Sequence, residues 1–92
     1  MSDFGFSVNP EAAASIHEEG IVIFHAGNGT MYSSNQTGAR VWQAVERRLS
    51  LEAIVEEISD AYQIAVTTAR EHAIRFLEEL ERRTLIQRES AS

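Results

Sequence analysis

The chain has no cysteine and no lysine, a single proline, and no long apolar run. Without cysteine there is no disulfide framework, no thiolate nucleophile and no zinc–thiolate site. No apolar stretch approaches the roughly 18 residues that a membrane-spanning helix needs. Met1-Ser2-Asp3-Phe4 lacks the basic stretch of a secretory signal. These absences together set the expectation of a cytoplasmic protein in a reducing compartment. Positive charge is scarce too: eight bases, all arginine, face fourteen acids for a net charge of −6. The arginines at 47, 48, 70, 75, 82, 83 and 88 are dispersed among glutamates, and phosphate backbones repel such a chain unless its bases cluster.

What is present fits one domain. Ninety-two residues, 43% hydrophobic and 24% charged, suit a single small core. Residues 1–8 hold Phe4 and Phe6 but no periodic pattern and are read as a flexible N-terminal arm, residues 9–88 as the domain, and residues 89–92 as a disordered tail. Residues 9–19 carry two readings. Asn9-Pro10-Glu11 looks like a helix start with a Gly20 stop, but the apolar stripe is weak and the β-rich run Ile21-Val22-Ile23-Phe24 needs a partner strand. Ala26-Gly27-Asn28-Gly29 is a turn by composition and joins that run to Thr30-Met31-Tyr32-Ser33 as a hairpin.

Three helical segments follow. Asn35 caps a stripe of Ala39, Val41, Trp42 and Val45; Ser50 caps a second of Leu51, Ile54, Val55, Ile58 and Tyr62. Thr68-Ala69-Arg70-Glu71 matches a capping box and predicts the start of the third helix, whose core stripe is Ala69, Ala73, Phe76, Leu77 and Leu80. Arg82 and Arg83 suit its last turn, and Leu85-Ile86 packs back or forms a short terminal strand. A β-rich front and three closely linked helices define an α+β fold of winged helix-turn-helix type.

The sequence Asn35-Gln36-Thr37-Gly38-Ala39-Arg40-Val41-Trp42, preceded by the apolar strand and Tyr32, and the segment Phe76-Leu77-Glu78-Glu79-Leu80-Glu81-Arg82-Arg83-Thr84-Leu85-Ile86 stand at characteristic spacing. The chain thereby resembles the PqqD-like family, also called RiPP recognition elements, over roughly residues 8–88. It departs from the family pattern at Ser34, where a leucine is usual, at His72, where an aspartate is common, and at Thr84, where glycine is usual. The resemblance implies that residues 12–17 are an edge strand of a three-stranded antiparallel sheet followed by three helices. It also implies a non-catalytic module without a cofactor. Such a module binds the leader of a ribosomally made precursor peptide by β-strand addition along the third strand of the sheet, beside the third helix. It presents the peptide to a modifying enzyme, either a radical SAM protein or a leader peptidase and cyclase of the lasso-peptide type.

Within that frame the candidate edge is Thr30, Met31, Tyr32, Ser33 and Ser34, which has no lysine or proline guard. The other wall is taken from the third helix. With Ala73 at the centre of the core face, Ile74 lies about 100° round; Arg70 and Glu81 flank it, Glu78 lies a little further on, and Leu77 borders the core. The blander readings are core packing for Ile74, Tyr32 and Trp42, a simple N-cap for Asn35, and a solvated face for Glu78, Glu79 and Glu81. His17, His25 and His72 show no metal-binding spacing, and no catalytic triad can be assembled. An alternative function is a winged-helix adaptor for another protein partner, acting through the same groove. A DNA reader is disfavoured by Glu71, Glu78, Glu79 and Glu81 on the would-be recognition helix. An unpaired edge strand also leaves a homodimer open. The charge pattern predicts no measurable binding to duplex DNA at physiological salt; a gel shift at low micromolar protein would overturn this.

Overall fold

In a computed structural model, residues 5–89 are described. The elements in chain order are β1 (Gly5–Val8), β2 (Ala12–His17), β3 (Gly20–His25), β4 (Thr30–Ser34), α1 (Gln36–Glu46), α2 (Leu51–Tyr62), α3 (Val66–Arg82) and β5 (Ile86–Glu89). β2, β3 and β4 form an antiparallel sheet in that order, and β1 pairs antiparallel with β5 in a second, two-stranded sheet. The three-stranded sheet and three helices are the expected winged-helix arrangement.

The two-stranded sheet corrects the expected arm and tail. From Gly5 onward the N-terminal segment is a strand, with Phe6 opposite Arg88 and Val8 opposite Ile86. Phe6 is 2% exposed, in the same core cluster as Ile86. An isolated four-residue strand carries too little pattern to be seen in sequence; this one exists because β5 returns beside it. Residues 1–4 of the arm and 90–92 of the tail lie outside the described residues.

Residues 12–17 are strand, and the local helix signal has a specific origin. The Asn9 Oδ1 accepts the Glu11 N–H at 2.9 Å, and the Asn9 carbonyl accepts the Ala12 N–H. This is an Asx turn leading into β2, and it presents the same residue types as a helix N-cap. The Asn9 side chain also donates to the Thr84 carbonyl at 2.8 Å, tying this corner to the end of α3.

Core and sheet face match by pairing. Ile21 and Ile23 are buried beneath the sheet, while their neighbours Val22 and Phe24 point outward with Ser33 and Met31 opposite them. At the β2–β3 corner Gly20 has φ +151°, and a Cβ there would lie 2.0 Å from the Ser34 carbonyl oxygen. Only glycine lets these two backbones approach so closely. The β3–β4 turn is organised by His25, which is 6% exposed: its Nδ1 accepts the Gly27 and Asn28 N–H groups.

The helix caps at Asn35 and Ser50 form as expected, accepting from Gly38 and Ala53. The capping box at Thr68 does not mark the start of α3. That helix begins at Val66 after Ala65, which has no capping side chain, so Thr68 already lies inside the first turn. Each helix is followed within two residues by a non-glycine residue at positive φ: Arg48, Gln63 and Thr84 at 61°, 53° and 57°. Thr84 is the costliest, because β-branching crowds the left-handed conformation. Replacing it with glycine is expected to stabilise the fold by about 1 kcal/mol, a rise of roughly 4–8 °C in Tm for a domain of this size. An unchanged or lower Tm for Thr84→Gly would show that the strain is offset locally.

Candidate functional site: an open groove between β4 and α3

β4 is an edge of the three-stranded sheet, paired to β3 on one side only. Beside its other side lies a groove of about 580 Å³. Tyr32, Ser34, Asn35, Thr37 and Gly38 line one wall; His72, Arg75, Phe76 and Glu79 of α3 and its C-cap Arg83 line the other. The wall is built by local rules. Tyr32 and Ser34 pair with Ile23 and Ile21, so they point to the helix side of the sheet. Met31, 66% exposed, and Ser33 alternate to the outer face. Thr30 sits at the turn, bonded to the Asn28 side chain.

An aromatic floor spans the groove. The Tyr32 and Phe76 rings have centroids 6.0 Å apart at 36°, a tilted pair within favourable range. The Arg83 guanidinium lies 4.4 Å from the Tyr32 ring centroid, covering its face. Gly38 permits this closure: a Cβ there would lie 2.8 Å from Phe76 and 2.4 Å from the Ser34 hydroxyl. The glycine after Thr37 therefore lets α1, the end of β4 and Phe76 meet at one point.

Glu79 organises the charged end. Its carboxylate accepts from Arg83 Nε at 2.7 Å and is also bonded by Arg82. The Arg83 hydrogen bond holds the Glu79 carboxyl below the usual carboxylate range; partial burial opposes this, and the charges of both arginines reinforce it. Arg83 is thus held by a carboxylate on one side and a tyrosine ring on the other.

Residues 30–34 form the edge strand, whereas Arg70, Ile74, Leu77, Glu78 and Glu81 do not line the groove beside it. Arg70 pairs with Glu52 of α2 at 2.7 Å, and Glu81 with Arg88 of β5 at 2.8 Å. Ile74 and Glu78 border a separate cavity with Phe6, Leu51, Leu77 and Arg88, away from β4. Leu77 is 2% exposed, a core residue. A helical wheel has two flanks beside its core stripe, Arg70–Ile74–Glu81 on one and His72–Phe76–Arg83 on the other. The handedness of the packed helices decides which one faces β4. The sequence signal for this flank is Phe76, an aromatic at the margin of the core stripe that is only partly buried. Tyr32, also expected in the core, is half-buried at the groove wall, whereas Trp42 is a core residue at 1% exposure.

No cluster of three or more His, Asp or Glu suited to a metal occurs among the described residues. Nor is any helix among them long and apolar enough to cross a membrane. What the site offers is an unsatisfied strand edge beside an aromatic trough, a form that takes an extended peptide.

A small winged-helix domain with a strand edge exposed beside its last helix is the class defined by this fold and site. The model of the PqqD family, coenzyme PQQ synthesis protein D, matches residues 20–86. The chain belongs to the PqqD family. Two solved structures share its fold. One is TbiB1 in complex with the TbiA(beta) leader peptide, with a TM-score of 0.81 and 22% identity over 88% of this chain and 94% of that one. The other is a lasso peptide synthetase B1 complexed with the leader peptide, with a TM-score of 0.80 and 18% identity over 89% of this chain and 96% of that one. The sequence finds no match among curated proteins.

The lowered pKa of the Glu79 carboxyl links stability to pH. A carboxylate stabilised in the folded state contributes stability above its unfolded pKa and loses it as pH falls through the folded value. Glu79→Gln is therefore expected to reduce the acid-side loss of stability, read as a smaller drop in urea midpoint between neutral and acidic pH. An unchanged drop would show that the Arg82 and Arg83 contacts contribute nothing to stability.

Proposed function

We propose that this chain binds the leader segment of a ribosomally made precursor peptide by β-strand addition to β4 and presents the peptide to a modifying enzyme. The observation that carries the reading is the open β4 edge beside the Tyr32–Phe76 floor, in a PqqD-family chain whose fold is that of two proteins solved with leader peptides. The leader's backbone hydrogen-bonds to residues 30–34, and alternate side chains enter the groove against Phe76, His72, Arg75 and Arg83. The domain does no chemistry itself and acts in the cytoplasm. Its enzyme partner is a radical SAM protein, or a leader peptidase with a cyclase. The likeness in fold to a lasso peptide synthetase B1 complexed with the leader peptide supports the lasso-type pair. The same edge can pair with a second copy of the chain, so leader binding competes with any homodimer formed there.

The test is an NMR titration of labelled protein with synthetic leader peptides from the gene neighbourhood. Shifts concentrated at residues 30–38 and at 72, 75, 76, 79 and 83 are expected. Phe76→Asp is expected to weaken binding at least about tenfold, the loss of one apolar anchor, while Ile74→Asp leaves affinity within about twofold. Equal loss in both well-folded variants would return the site to the opposite flank of α3. Saturating peptide without shifts would move the function to an adaptor for another protein.

A further inference from the structure

Most arginines of this acidic chain have a partner within the fold. Arg47 pairs with Glu57, Arg48 with Glu89, Arg70 with Glu52, Arg88 with Glu81, and Arg82 and Arg83 both with Glu79. Arg40 lies over the Tyr62 ring. Arg75 alone among the eight has neither a carboxylate nor an aromatic partner among the described residues. It is exposed, and it lines the groove beside Phe76 with His72 one helical turn back. The groove's one carboxylate, Glu79, is occupied by two arginines. A chain with fourteen acids thus keeps its unpaired guanidinium in the trough where a peptide strand would lie.

We infer that Arg75 is a specificity residue: the groove selects a strand in which an aspartate or glutamate stands two residues from a large apolar or aromatic side chain. The inference rests on the leader-binding reading and names the chemistry of the segment bound. The apolar group seats on the Tyr32–Phe76 floor, and the carboxylate takes the Arg75 guanidinium, with His72 as a second donor. The two-residue spacing follows from strand geometry, because only alternate side chains of an added strand face the groove. Arginine suits the task, since its planar fork binds a carboxylate through two parallel hydrogen bonds. Charge complementarity of this kind chiefly sets which partner is accepted. The net charge of −6 opposes acidic segments elsewhere on the surface, so the preference is confined to the groove.

The experiment uses the full chain and a display library of random twelve-residue peptides, followed by fluorescence anisotropy on the tightest binder. Enriched peptides are expected to carry the acid at two residues from an apolar anchor and to shift the amides of residues 30–34. Changing that acid to its amide is expected to weaken binding about tenfold. Arg75→Glu, at an exposed position, should show the same loss, and a lysine in place of the peptide's acid should restore binding to that variant only. Binders that shift β4 but show no acidic preference, or whose affinity ignores Arg75→Glu, overturn this inference and leave the leader-binding reading intact. Binders that never perturb β4, or no binders at all, overturn both.

Discussion

The unpaired edge of β4 is the constraint around which the molecule is arranged. Backbone N–H and C=O groups on a sheet edge must be satisfied by water or by another strand. The sheet has two such edges, β2 and β4, and the fold treats them differently. β2 leans mainly on β3 and carries small or exposed residues such as Ala13, Ala14 and Ser15. β4 is walled by α3, whose Phe76 and Arg83 meet Tyr32 across a gap spanned by side chains. An incoming strand on β4 therefore gains apolar burial and charge contacts in addition to main-chain bonds. On β2 it would gain little beyond the bonds themselves.

Three features that look unrelated in sequence all serve that edge. Gly20 allows the β2–β3 corner to touch the Ser34 carbonyl, fixing the end of β4. Asn35 ends the strand and begins α1 by accepting the Gly38 N–H at 3.0 Å. Gly38 leaves room for Phe76 and the Ser34 side chain at the groove floor. The Asn-x-Thr-Gly stretch thus joins strand end, helix cap and groove floor within four residues. A side chain at position 38 would clash with the Phe76 ring and the Ser34 side chain and disturb the groove floor, so the need for glycine here is steric.

Much of the fold was legible because its signals are local. The Gly-Asn-Gly turn, the Asn35 and Ser50 caps and the apolar stripes of the helices each depend on a few neighbouring residues. The failures came where a local pattern has two physical solutions or where the partner is remote. Asn9-Pro10-Glu11 serves an Asx turn as readily as a helix cap, and only pairing with β3 makes the next residues a strand. Thr68 and Glu71 have capping-box chemistry, but Val66 and Thr67 extend the helix past it. β1 is a strand only because β5, some eighty residues on, lies beside it. The strand half of the site was readable by the same logic, since an edge without lysine or proline is a property of five consecutive residues. The helix half was not. Choosing between two flanks of α3 needs the packing angle of the helix on the sheet, and no spacing in the sequence encodes it.

The two flanks of α3 also differ in what they leave unsatisfied, which supports the proposed site on the Phe76 side. On the Ile74 side, one Arg70 nitrogen donates to both Glu52 carboxylate oxygens and Glu81 binds Arg88, so charges are spent tying α3 to α2 and β5. Exposed pairs of this kind add little stability, but they leave few groups seeking a partner. On the Phe76 side, Glu79 draws in Arg82 and Arg83 and stands Arg83 at one end of the groove, while Arg75 and His72 remain uncommitted along its rim. One helix therefore presents a closed electrostatic face to its own fold and an open one to the strand edge. The open face carries positive charge on a protein whose surface is otherwise acidic. Under the proposed reading, that contrast would let the groove discriminate among extended segments whose backbones could all pair with β4 equally well.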